Sequence, residues 1–189
     1  HKGDYKQAGS YHSECLRRAQ RSLGSSHPSA LQALNNLANV FLKQGSFRHC
    51  EKLYREAIRI YTRYYGEDSP DTLASISNLA VLLNSVGKYK QAKLFCNRAF
   101  KGRSRILGPS HPDTLSTMGN LANIYRATGN LKEAESLYRQ TLAARSRVLG
   151  LKHPDTLLSF SNLGAVLSET GNLKEAEQLY LHALLGRKK

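Results

Sequence analysis

Four stretches of the chain are versions of one motif: GSSHPSAL from Gly24, GEDSPDTL from Gly66, GPSHPDTL from Gly108 and GLKHPDTL from Gly150. Their starts are 42 residues apart, as 66 − 24, 108 − 66 and 150 − 108 all show. A motif that returns at a fixed period of this size marks one supersecondary unit repeated, each copy unable to bury its apolar face alone. Neighbouring copies must therefore stack, and the core runs along the array instead of gathering at one centre. Every candidate site residue has to be judged in all copies at once.

Within residues 111–150, Leu115, Met118, Leu121, Ala122 and Tyr125 follow the spacing of an amphipathic helix, here helix A. Pro112 suits the first helical position and Asp113 complements the helix dipole, while Gly129 closes the helix. A second stripe, Leu131, Ala134, Leu137, Tyr138, Leu142 and Val148, predicts helix B, with Arg145 and Arg147 in its last turn and Gly150 as its stop. The closing glycines return in register as Gly45, Gly87 and Gly171 after helix A. The expected organisation is a partial repeat over 1–24 (a second helix only), repeats over 25–66, 67–108 and 109–150, and a fourth, truncated one over 151–189.

These positions resemble the tetratricopeptide repeat. Its pattern of small and aromatic residues appears as Leu37, Ala38, Phe41, Gly45, Phe47, Cys50, Tyr54 and Ala57, and again as Leu121, Ala122, Tyr125, Gly129, Leu131, Ala134, Tyr138 and Thr141. The copies Leu79 to Ala99 and Leu163 to Ala183 match likewise, and Gly3, Tyr5, Ala8, His12 and Cys15 fit a preceding half repeat. The common period is about 34 residues, and the longer form with HPDTL between repeats is similar to kinesin light chain and to repeats found in some receptor-type proteins. The resemblance implies an all-α fold, a right-handed superhelix (solenoid) of about nine helices. It also implies a protein-interaction scaffold or adaptor, whose kinesin-light-chain relatives receive acidic, tryptophan-containing peptides on the concave face.

His27, His111 and His153, with Ser69 in the second copy, stand directly before the proline that opens each helix A. One histidine per repeat without local partners is no zinc site, which needs three or four ligands around one ion. A capping role for free N–H groups is the expectation. Cys15, Cys50 and Cys96 fall on packing positions, where buried thiols are inert. No phosphate-cradling loop, zinc-protease helix or nucleophile elbow occurs. The expectation is thus a protein that is not an enzyme and takes neither cofactor nor metal. No run of 18 apolar residues exists to span a membrane. An odd cysteine count without paired spacing fits a reducing, cytoplasmic setting.

The chain carries 28 Lys and Arg against 14 Asp and Glu, a net +14, which favours acidic partners. Asn36, Asn78, Asn120 and Asn162 occupy one register position in all four helices A. Their carboxamides offer donors and an acceptor to an extended peptide; equally, they can bond across repeats and hold the pitch. Asn39, Lys43, Asn84, Asn123 and Arg126 are the neighbouring positions for reading a peptide's side chains. Ala74, Ser77, Ser116, Gly119 and Ser161 are small enough to leave room. Because Asn35, Asn39, Ser116 and Asn120 replace the cations of a two-carboxylate clamp, the acidic tails of heat-shock chaperones are not the expected ligand.

Between Asp71 and Asp113 there is no acidic residue, yet Lys88, Lys90, Lys93, Arg98, Lys101, Arg103 and Arg105 crowd this window. This is the candidate anion patch, the basis of an alternative reading as a platform for nucleic acid or acidic lipid. The absence of interleaved, exposed aromatic residues argues against nucleic acid. A third reading is a structural spacer within a larger receptor-type protein. Apolar positions such as Leu179 and Leu184 predict weak end-to-end self-association.

Overall fold

The computed structural model describes the backbone of residues 2–187 and the side chains of residues 7 and 9–186. The half-repeat positions Gly3, Tyr5 and Ala8 lie outside the described side chains, although their backbone is helical. The described chain is nine α-helices and no strand: α1 Lys2–Leu23, α2 Pro28–Lys43, α3 Phe47–Tyr65, α4 Pro70–Ser85, α5 Tyr89–Ile106, α6 Pro112–Ala127, α7 Leu131–Leu149, α8 Pro154–Glu169 and α9 Leu173–Arg187. Helices A are α2, α4, α6 and α8, each of 16 residues. The intervening helices B α3, α5 and α7 run to 19, 18 and 19 residues, so they carry part of the longer period.

Each helix A starts the same way. A proline stands first, and the residue before it caps: His27 Nδ1 accepts from the Ser29 amide at 3.2 Å, His111 Nδ1 from Asp113 at 3.2 Å, and His153 Nδ1 from Asp155 at 3.1 Å. Ser69 Oγ does the same for Thr72 at 3.2 Å. The HPDTL motif is thus a cap, in which an imidazole nitrogen takes the place of the more usual hydroxyl or carboxylate oxygen. Helix A ends at a left-handed glycine such as Gly129, φ +77°. A side chain there would meet no atom within 4 Å, so the requirement is the backbone conformation alone.

The chain divides into two compact units, His1–Ala99 and Phe100–Lys189, with the boundary inside α5. In the first, Leu16, Leu31, Leu34, Leu37, Ala57, Ile60 and Tyr61 form one core cluster, and Leu73, Ile76 and Ala99 a second. In the other unit Ala122, Ala134, Tyr138, Leu163, Val166, Leu167 and Ala176 pack together. Each buried leucine contributes about 1.5–3 kcal/mol, which is how modest helices combine into a stable array. Ala38, Ala80 and Ala122 are fully enclosed where the helices approach, and at Gly164 an added Cβ would lie 3.1 Å from the Tyr180 ring.

Two details of the helix B stripe differ from expectation. Val148 is 47% exposed, whereas Arg145 is 6% exposed. The end of α7 runs beside the first turn of α8, and there Arg145 Nη1 donates to the Asp155 carbonyl at 3.0 Å and to Ser159 Oγ at 2.9 Å. Its Nη2 reaches back to Ser116 Oγ at 2.9 Å, while Nε has no partner. Burial pushes this guanidinium below its ordinary pKa, with the nearby Asp155 charge opposing. Arg103, 145 − 103 = 42 residues earlier, repeats the arrangement with the Asp113 carbonyl at 3.0 Å and Thr117 Oγ1 at 2.8 Å. Only a planar, multi-donor fork satisfies a carbonyl and hydroxyls together, which explains arginine at a position that packing would give to an aliphatic residue.

Candidate peptide-binding surface

Helix A presents its capped start and its closed end to the loops, so the residues between them that avoid the core stripe are those available to a ligand. Of the four-asparagine register, Asn36 and Asn78 lie in the first unit and Asn120 and Asn162 in the second, all half-buried. Asn36 Oδ1 accepts from Gln32 Nε2 at 3.2 Å along its own helix. Among the described residues, Asn78, Asn120 and Asn162 have no hydrogen-bond partner for their carboxamides. The bond between neighbouring helices A falls instead to the adjacent Asn35, whose Nδ2 lies 3.3 Å from Ser75 Oγ.

The neighbouring positions divide. Lys43 is exposed in the last turn of α2. Asn39 Oδ1 accepts the phenol proton of Tyr54, and Asn123 Oδ1 that of Tyr138, each partner lying 15 residues on in helix B. Each therefore keeps its two amide N–H groups, and one lone pair of Oδ1, for another molecule. Asn84 is half-buried, with an Oδ1 that has no partner. Arg126, expected to read a peptide's side chains, pairs with Glu169 at 3.1 Å between α6 and α8. Ser77 is 5% exposed and Gly119 is buried. Both belong to helix packing, and only Ala74, Ser116 and Ser161 keep partial exposure.

The expected anion patch was read from a window free of acidic residues, and the fold supplies carboxylates from outside that window. Lys88 pairs with Glu51 at 2.9 Å and Arg98 with Glu67 at 3.2 Å. The Lys88 ammonium, hydrogen-bonded to Glu51, holds that carboxyl below the usual range, with Arg55 adding to it. Arg103 is the buried fork described above, and Lys93 and Arg105 are also engaged. Lys90 and Lys101 are exposed. The candidate anion patch is corrected accordingly: Lys88 and Arg98 already hold carboxylates that come from outside the window.

Cys50 is fully buried and burial pushes its thiol up to about 11; Cys96 is equally enclosed and Cys15 half-buried, all three unbridged. No cluster of three metal-ligating side chains occurs among the described residues. No helix among them is long and apolar enough to cross a membrane.

The same helical pair, repeated through both units, is what comparison with known families recognises. The tetratricopeptide repeat profile matches residues 1–49, 31–105, 76–147 and 116–189, which together span the chain. The chain belongs to the tetratricopeptide-repeat family. Solved structures similar to this tetratricopeptide protein include BtubC (BKLC) from P. vanneervenii, at 25% identity over 98% of this chain and 74% of that one, TM-score 0.81. Another is a Podosopora anserina protein described as a kinesin light chain with nearly identical TPR-like repeats, at 24% identity over 98% and 87%, TM-score 0.80. A Rap protein complexed with Competence and Sporulation Factor is similar in fold at 14% identity and TM-score 0.82, this chain spanning 49% of its length. No curated protein sequence matches the chain at a significant level. The repeats are of a type that serves as a scaffold for protein interaction.

Proposed function

We propose that the chain binds an extended, acidic peptide segment of a partner protein along its helices A, as an adaptor. The observation that carries this reading is the state of Asn120 and Asn162 in the second unit and of Asn78 in the first, each half-buried and without a hydrogen-bond partner among the described residues, whereas Asn35 does the bonding between helices. A carboxamide left in this state is matched to a peptide backbone, which needs one donor and one acceptor at each step. The acidic preference rests on Lys43 and on the net charge of +14, since Arg126 is already paired with Glu169. The three unbridged cysteines suit a cytoplasmic site of action.

An array of peptides, half of them carrying adjacent Asp or Glu and an aromatic residue, identifies a ligand; Asn120→Ala then tests the surface. Lost affinity at unchanged melting temperature is the expected result. A lower melting temperature with affinity per folded molecule retained assigns the asparagines to architecture and refutes the proposal. Binding that falls by orders of magnitude between 50 and 200 mM salt, roughly as for six to ten phosphate contacts, favours a polyanion over a peptide groove.

A further inference from the structure

The loop before α2 and the last turns of α3 enclose a cleft of about 270 Å³, lined by Ser25, Ser26, Arg59, Ile60, Arg63 and Tyr64. Liquid water occupies about 30 Å³ per molecule, so the space admits a small polyatomic ion with its hydration. Two guanidinium groups, two serine hydroxyls and the Tyr64 phenol share this lining with no carboxylate. Arg59 and Arg63 are one helical turn apart, where like charges repel, and neither forms an ion pair among the described residues. Arg63 stands 5.7 Å from the Tyr64 ring centroid. Tyr65 Oη donates to the Ser26 carbonyl at 2.9 Å and pins the loop against α3. The capped N-terminus of α2 begins two residues beyond Ser26, adding the positive end of a helix dipole.

The next repeat shows what this register does when the loop is acidic. Glu67 and Asp68 stand where Ser25 and Ser26 stand, 67 − 25 and 68 − 26 both being 42. Glu67 is met by Arg98 of the following helix B at 3.2 Å. One repeat later a loop carboxylate is thus held by a cation of helix B; the counterparts of Arg59 and Arg63 there are Lys101 and Arg105, and that of Arg98 in the first repeat is Glu56, while the first repeat's loop carries serines where the acids stand. We infer that the cleft formed by Ser25, Ser26, Arg59 and Arg63 binds a phosphate group, clamped by the two guanidiniums with the serine hydroxyls donating to its remaining oxygens. A phosphomonoester carries about −1.5 to −2 charge and three acceptor oxygens near neutral pH, which balances two arginines as a single carboxylate does not. The site lies on loop and helix B and is independent of the helix-A reading.

The test is a titration of the full chain, following the amide resonances of Ser25, Ser26 and Arg63 at constant ionic strength. Probes are inorganic phosphate, a phosphoserine amide, acetate and chloride. Saturable shifts with both phosphate probes are expected, weakened at least tenfold by Arg59→Gln with Arg63→Gln and abolished by Ser25→Glu with Ser26→Asp, which installs the acidic loop of the next repeat. Tighter binding of the phosphoserine amide identifies a modified protein as the source, and equal binding a free ion. Shifts that acetate or chloride reproduce, or that survive the arginine substitutions, overturn the inference. If the arginine variant loses its helical circular dichroism, Ser25→Ala with Ser26→Ala must weaken phosphate binding severalfold, and unchanged binding is equally fatal.

Discussion

Replacing Asn123 with valine separates what holds a repeat together from what it shows to a partner. Tyr138 is 1% exposed, its phenol pKa raised by desolvation, and its proton goes to Asn123 Oδ1. Arg126 also interacts with this phenol, yet a guanidinium donates only and offers the phenol proton no acceptor. Asn123→Val thus leaves a buried donor orphaned, at a cost of about 1–3 kcal/mol. Tyr138→Phe removes the donor and lets the half-exposed carboxamide return to water, at about 0.5–1.5 kcal/mol. The double variant has no orphan, so its loss should fall short of the sum by about 0.5–3 kcal/mol, the range for residues in contact. A change of 1 kcal/mol moves the melting temperature by roughly 2–4 °C at this chain length; a loss of about 2 kcal/mol for Asn123→Val is thus a fall of roughly 4–8 °C. Melts followed by far-ultraviolet circular dichroism measure all four species. Strictly additive single effects would show that the tyrosine and asparagine are adjacent without being coupled. The chain already contains a version of the double replacement, since Val81 and Cys96 occupy these places in the second repeat.

Arg145→Lys should lower the melting temperature by several degrees while Arg147→Lys does not, because one ammonium on a flexible stem cannot reproduce the fork on Asp155, Ser159 and Ser116. Equal effects of the two substitutions in parallel melts would contradict the buried role. Glu51 and Glu175 are held below the usual carboxylate range, chiefly by hydrogen bonds from Lys88 and Arg139 respectively. A depressed folded pKa contributes stability above the unfolded value and loses it as pH falls through the folded one; melts should therefore decline from about pH 4.3 downward, less steeply in Glu51→Gln with Glu175→Gln. With its pKa pushed up to about 11 and its side chain enclosed, Cys50 should resist iodoacetamide in the native chain, as should buried Cys96, while half-buried Cys15 is alkylated first; mass spectrometry of the digested adduct reads the order.

Elements whose causes are local were legible in the sequence. The cap at His111, the proline at the first helical position and the glycine at φ +77° each act within a few residues, so their spacing alone placed the helix ends. What failed has causes about one period away. Lys88 finds Glu51 at a separation of 37 residues and Arg98 finds Glu67 at 31, so a charge count along a window of sequence saw only cations where the fold makes pairs. Arg145 looked like a solvated end-of-helix charge because its principal acceptor is a backbone carbonyl, and every residue type has one. The asparagine register was visible as a recurrence, but hydrogen-bonding at Asn35 and its absence at Asn78 depend on which side chains the adjacent helices supply.

The interactions of the first and third repeats correspond at twice the period. Asn39 with Tyr54 becomes Asn123 with Tyr138, and Glu51 with Arg55 becomes Glu135 with Arg139, each shifted by 84 residues. Pairs of this kind have both members inside one repeat, and would survive any genetic exchange that moves a whole repeat as a cassette. Others, such as Asn35 with Ser75, Arg126 with Glu169 and Arg139 with Glu175, span a junction and are severed by it. Descent by duplication would thus conserve the inside of a repeat cheaply while forcing each seam to be rebuilt. In a protein engineered from these modules, the helix pair from Pro112 to Leu149 can be transplanted as it stands, and the design effort belongs at its two edges.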